Sequence, residues 1–209
     1  MSANKGLLFI VSGFSGAGKG TIVKAFLDRN SDVELSISAT TRECRVGEVH
    51  GEHYYYISRK EFEEMIKTGD MFEHATYVGN YYGTPKSFVM KKLEEGKDVI
   101  LEIEMQGALQ VKEMYEEAIM IFVVPPKASD LKDRLVHRNT ESMEVINNRL
   151  KRSYEETDLM KHYDYLLIND DLDDAVTLFE GIRLAEKTKY KRYLHLNDKF
   201  KQELKEIID

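Results

Sequence analysis

The stretch Leu7-Leu8-Phe9-Ile10-Val11-Ser12-Gly13-Phe14-Ser15-Gly16-Ala17-Gly18-Lys19-Gly20-Thr21 decides the fold. Its apolar start, Leu7 to Val11, reads as a strand buried on both faces. Gly13, Gly16, Gly18 and Gly20 follow at once, and a helical stretch runs from about Thr21 to Arg29. Glycines let a chain turn sharply and present its amides to phosphate oxygens without obstruction. A helix opening at Lys19 adds its positive N-terminal end, and the Lys19 ammonium can reach terminal phosphates. Gly13 to Lys19 therefore fits the G-x-x-x-x-G-K phosphate cradle of the P-loop proteins. The hydroxyl position that usually meets Mg²⁺ is Gly20, and Thr21 substitutes only if the helix start is shifted.

Further strands read at Asp98–Ile103, Ile119–Val124 and Tyr165–Ile168, the second of them stopped by Pro125-Pro126. Helical stretches alternate with them, so the expected class is α/β, a P-loop NTPase parallel sheet flanked by helices. Two segments interrupt the rhythm. Residues from about Leu35 to Gly96 look like a small mixed α/β insert, with a strand from Leu35 to Ala39, a capping box at Ser58-Arg59-Lys60-Glu61 and Thr84-Pro85 opening a second helix. Residues from about Lys127 to Met160 form a charged helical lid carrying Arg134, Arg138, Arg149 and Arg152. The expected organisation is one domain over 1–209, with a core of 1–35, 97–126 and 161–209, an insert of 36–96 and a lid of 127–160. Leu194 to Asp209 reads as an amphipathic helix packed on the core.

The 209 residues suit one compact domain, and 42% hydrophobic content suffices for its core. A net charge of -7 without a basic cluster argues against nucleic acid as a partner. The longest apolar stretch, Ala118 to Pro126, is too short to span a bilayer. A single cysteine, Cys44, and a start without a signal peptide fit a cytoplasmic setting. The guanine-reading N-K-x-D and the D-x-x-G of switch GTPases do not occur in the chain.

If ATP fills the cradle, an acceptor must take its γ-phosphoryl group. Arg42 and Arg45 stand in a short loop beside Thr40 and Thr41, and two guanidinium forks can grip a phosphate with paired donors. The segment Ser36-Ile37-Ser38-Ala39-Thr40-Thr41-Arg42, then Arg45-Val46-Gly47-Glu48, Tyr54 and Gly79-Asn80-Tyr81-Tyr82-Gly83 resemble the GMP-binding region of guanylate kinases. The likeness extends from Leu7 to about Asp174, through Leu101 to Gly107 and Ile168 to Leu172.

That resemblance implies roles at matching positions. Gly13, Phe14, Ser15, Gly16, Ala17, Gly18, Lys19, Gly20 and Thr21 would bind ATP, with Asn169 near the adenine and Arg134 a helper. Arg42, Arg45, Tyr54 and Tyr82 would bind the GMP phosphate, and Ser38, Glu73 and Thr84 would read the guanine edge. Glu104 would lie near GMP or the metal, while Lys19, Arg42, Arg138 and Arg149 would surround the transferring group. Thr84 has a second reading as a helix cap, and Arg134 and Glu73 have second readings as solvated charges. Phe14 and Glu104 depart from the proline and aspartate usual in the family, whereas Thr84 keeps the hydroxyl of the usual serine. The implied reaction is ATP + GMP ⇌ ADP + GDP, with dGMP left open as a second acceptor. Mg²⁺ would be held mainly through ATP phosphates and water, without a protein metal site. Two rivals stand beside it: a kinase for another monophosphate, and a phosphopeptide-gripping module, whose cradle is typically degraded.

Overall fold

A computed structural model describes residues 5–137 and 142–208. The strands in chain order are β1 (Leu8–Gly13), β2 (Val33–Leu35), β3 (Ala39–Thr40), β4 (Tyr55–Tyr56), β5 (Met71–Tyr77), β6 (Asn80–Pro85), β7 (Asp98–Glu102), β8 (Ile119–Val124) and β9 (Tyr165–Ile168). The helices are α1 (Lys19–Arg29), α2 (Arg59–Lys67), α3 (Lys86–Glu94), α4 (Met105–Met114), α5 (Ala128–His137), α6 (Met143–Glu156), α7 (Leu172–Lys187) and α8 (Leu194–Ile208).

One sheet runs β2-β7-β1-β8-β9, and every pairing in it is parallel. Successive side chains of a strand face opposite sides, and β1 divides accordingly. Phe9 and Val11 join Ile22 and Phe26 of α1 and Phe179 of α7 on one face. Leu8 and Ile10 join Val89 and Leu93 of α3 and Ala108 and Val111 of α4 on the other. Phe179 seals the first face, stacked on Phe26 at 4.0 Å and edge-on to Phe9 at 5.4 Å. The sheet places the C-terminal ends of β1, β7 and β9 together, where ligands bind in open α/β sheets.

The second sheet, β4-β3-β6-β5, is mixed: β3 pairs parallel with β4 and antiparallel with β6. Its capping box forms as read, with the Ser58 hydroxyl accepting from the Glu61 amide and the Glu61 carboxylate accepting from the Ser58 amide. Three features differ from the sequence reading. The expected strand from Leu35 to Ala39 is two pieces: β2 ends at Leu35 on the edge of the core sheet, and β3 begins the second sheet at Ala39. Three residues with a half-buried Glu34 and an exposed Leu35 carry no legible alternation. Helix α3, inside the 36–96 stretch, packs on the core sheet. The terminal helix α8 forms but does not pack on the core, because none of its residues is buried. Leu194, Phe200, Leu204, Ile207 and Ile208 are all exposed. No helix among the described residues is long and apolar enough to cross a membrane.

Candidate active site

Between β1 and α1 the chain bends through Gly16 and Gly18, both left-handed, with φ of 90° and 93°. Gly18 is glycine for a second reason, since a Cβ there would lie 2.3 Å from the Asn169 Nδ2 atom. Helix α1 begins at Lys19 with no side-chain cap, so its first amides face the loop unclaimed by a capping group. Because the helix start is not shifted, Thr21 does not move into the hydroxyl slot left by Gly20. The Lys19 ammonium folds back and donates to the Gly13 carbonyl at 2.7 Å, which is where a phosphate oxygen would compete for it. The Phe14 side chain is buried, edge-on to Phe122 at 5.0 Å, and its carbonyl accepts from the Ala17 amide at 3.0 Å within the loop.

Asn169 and Arg134 hold the cradle from behind. The Asn169 amide donates to the Ala17 carbonyl at 2.7 Å, and Arg134 donates to the same carbonyl at 3.1 Å and to the Asn169 carbonyl at 2.9 Å. Arg134 is thus not a solvated helix residue. From α6, Arg149 donates to the Ser15 hydroxyl at 2.9 Å. Arg138 lies outside the described residues.

Arg42 presents its fork to Glu48, through Nη1 to Oε2 at 2.9 Å and Nη2 to Oε1 at 2.8 Å. That pairing, with the Arg45 amide at 2.8 Å, holds the Glu48 carboxyl well below the usual range, at about 2. The Arg42 guanidinium also lies 5.5 Å from the Tyr54 ring, and Tyr54 meets Tyr82 edge-on at 6.0 Å. The Arg45 side chain is exposed on the same loop.

A cleft of about 780 Å³ joins the two halves, lined by Lys19, Ser38, Tyr54, Glu73, Tyr82, Glu102, Glu104, Gly107 and Arg152 among others. Glu73 is only 8% exposed, so it is no surface charge. Burial pushes its carboxyl up, against the Thr84 hydroxyl, which donates to Oε1 at 2.7 Å and favours the ionised form. Thr84 is therefore spent on Glu73, and α3 starts after Pro85 without a side-chain cap. Glu104 stays exposed at the cleft and pairs with Arg152 at 3.2 Å.

Sequence reasoning assigned no role to three of these residues. Glu48 orients Arg42, and its spacing after Arg42 and Arg45 was the available signal. Glu102, at the end of β7, sits near Gly20, where a Cβ would lie 3.5 Å from its Oε1. Burial raises the Glu102 carboxyl and the charge of Lys19 opposes that rise. Arg152 reaches the cleft from α6, and its charge alone did not distinguish it from its neighbours.

A buried acceptor facing a phosphate cradle across one cleft is what the comparisons with known proteins bear on. Residues 5–183 match the model of the family described as guanylate kinase. The guanylate kinase of Clostridioides difficile is 50% identical over 205 residues, covering 98% of this chain and all of that protein. That of Caldanaerobacter subterraneus subsp. tengcongensis is 49% identical over 204 residues, covering 97% of this chain and 99% of its own. Among solved structures, guanylate kinase from Anaplasma phagocytophilum aligns with a TM-score of 0.72 at 29% identity, covering 93% of both chains. With a family model spanning most of the chain and relatives near half identity end to end, this chain belongs to the guanylate kinase family.

Proposed function

We propose that the protein transfers the γ-phosphoryl group of ATP to GMP, giving ADP and GDP. The observation that carries this is the buried Glu73 carboxylate, which lines the same cleft as Lys19. Guanine offers adjacent N1–H and 2-amino donors, and a carboxylate accepts from both. For the GMP phosphate the Arg42 fork stands beside Tyr54, and Tyr54 beside Tyr82, with Arg45 on the same loop as Arg42. Ser38 and Glu104 line the same cleft, within which the base would be read.

A phosphate oxygen of GMP is already an ionised nucleophile, so no general base is needed. Catalysis is then alignment and stabilisation of charge on the group in transit. Lys19 and the α1 amides hold the donor phosphates, Arg149 approaches from the lid, Arg42 approaches from the acceptor side, and Arg138 keeps the role that the family resemblance implies. These residues come from a core of 1–35, 97–126 and 161–209, an insert of 36–96 and a lid of 127–160, whose approach excludes water from the transfer. Mg²⁺ is typically held by one or two carboxylates with substrate phosphates and water. The Glu102 carboxylate beside Gly20 suits such a site, and among the described residues no group of three or more His, Cys, Asp or Glu could hold a metal by itself. Bound there, the ion would neutralise negative charge on the donor phosphates. A role in purine nucleotide recycling follows from GDP as product, and a single cysteine, Cys44, suits a reducing compartment such as the cytoplasm.

ADP release measured with ATP and GMP, AMP, CMP or UMP in turn tests the reading. GMP should be preferred by orders of magnitude, with activity lost on chelation and restored by Mg²⁺. Equal use of AMP would overturn the acceptor, and no turnover with any monophosphate would overturn the reaction.

A further inference from the structure

Gly107 lies inside α4, where glycine disfavours the helix more than any residue except proline. What the chain gains there is room. A Cβ on Gly107 would stand 3.0 Å from Glu73 Oε2, 3.2 Å from its Cγ and 3.3 Å from its Cδ. The space of the missing side chain is filled by the Glu73 carboxylate and the carbons that carry it.

That carboxylate has little freedom to retreat. Its other oxygen accepts the Thr84 hydroxyl at 2.7 Å. Behind it, β6 presses on the Glu73 backbone, since a Cβ on Gly83 would lie 2.6 Å from the Glu73 carbonyl oxygen. One turn along α4, the Gln110 side-chain Oε1 accepts from the His74 amide at 3.3 Å, which ties helix to strand. Two glycines, one on β6 and one on α4, thus frame a single glutamate.

We propose that Gly107 is a positioning residue for base selection: its bare backbone sets where the Glu73 carboxylate stands, and through it the preference for guanine over adenine. The proposal rests on Glu73 as the reader of guanine. Two parallel hydrogen bonds to N1–H and the 2-amino group need both carboxylate oxygens correctly placed. A methyl group on Gly107 displaces them by a few tenths of an ångström. Adenine offers no such donor pair, so its weak use has less to lose.

The test is kcat/KM for GMP and for AMP in the full chain, in Gly107→Ala, Glu73→Gln and the double variant, with the KM for ATP and Tm beside them. Gly107→Ala should lower the GMP:AMP ratio about tenfold through the KM for GMP, a fraction of the about 10²-fold that a 1 Å misplacement costs. The KM for ATP should hold. In the Glu73→Gln background Gly107→Ala should lower the ratio no further, the non-additivity expected of residues acting through one contact. An unchanged ratio in Gly107→Ala, with a fallen ratio in Glu73→Gln, overturns the role of Gly107 and leaves Glu73 as the reader. An equal further loss in the double variant also overturns it. An unchanged ratio in Glu73→Gln removes the base reading and this proposal with it. If Gly107→Ala does not fold, Glu73→Ala in the same chain should restore folding by vacating the space, and failure to do so overturns the proposal.

Discussion

Glu48 occupies both ends of the Arg42 fork, at 2.8 and 2.9 Å, while its Oε2 also accepts the amide of Arg45. One carboxylate therefore aims the guanidinium and fixes the backbone of the loop that carries both arginines. With the Glu43 carbonyl accepting from Nη1 at 2.7 Å, it decides where the donors of Arg42 left over for a phosphate point.

Replacing Glu48 by Gln should raise the KM for GMP by roughly tenfold or more, because the phosphate grip depends on sub-ångström placement. The KM for ATP should barely move. The pairing is also linked to pH. The carboxyl sits near 2 in the folded chain against an ordinary 4.5, so its contribution is complete above about 4.5 and fades only as pH falls toward 2. NMR titration of the Glu48 side chain checks the shift, and steady-state kinetics check the KM.

Lys19→Ala should cut kcat by about 10²–10⁴, the scale of losing one preorganised charge at a developing anion. Among the described residues its ammonium hydrogen-bonds to loop carbonyls, at 2.7 and 3.5 Å, so melting should stay close to that of the parent. Turnover and a thermal melt on the same preparation decide it, and near-normal turnover would remove Lys19 from the chemistry.

Glu73→Gln should do two opposite things. It should weaken the use of GMP, yet stabilise the free protein at neutral pH. Burial raises the folded pKa of Glu73 above 4.5, so the folded state loses stability as pH climbs through that raised value. Glutamine does not titrate and escapes the loss. The Tm of the variant should exceed that of the parent at pH 8, by about 2–4 °C for each kcal/mol relieved, and the gap should close below pH 4.5. Melts without nucleotide at both pH values are the check.

Asn169→Ala should remove one of the two donors on the Ala17 carbonyl, and loosen the backing of the loop at Gly18. Because Arg134 still satisfies the Ala17 carbonyl, the loss is that of one ordinary hydrogen bond, about 0.5–1.5 kcal/mol, a fall of a few degrees in Tm. The KM for ATP should rise several-fold with that for GMP unchanged.

What the sequence made legible was local. The strand before the cradle, the glycines and the Ser58 capping box each follow from spacing over a few residues, and all three form. What it hid was long-range or short-lived. β2 is three residues that become a strand only by pairing with β7, far along the chain. The tie of Asn169 to Ala17 joins residues 152 apart in sequence, and no period encodes it. Thr84 beside Pro85 looked equally like a cap, until the register of β5 and β6 set it opposite Glu73. The stripe on α8 predicted a helix correctly and a docking face wrongly, because amphipathicity says which side is apolar and not what meets it.

That unattached stripe on α8 bears on how the molecule breathes. A helix with no buried residue draws its persistence from its own turns, and isolated helices of fifteen residues are marginal in water. Its amide protons should trade with deuterium orders of magnitude faster than those of β1, whose side chains are all buried. Helix α8 should thus open and close on its own clock, while β1 opens only with the sheet around it.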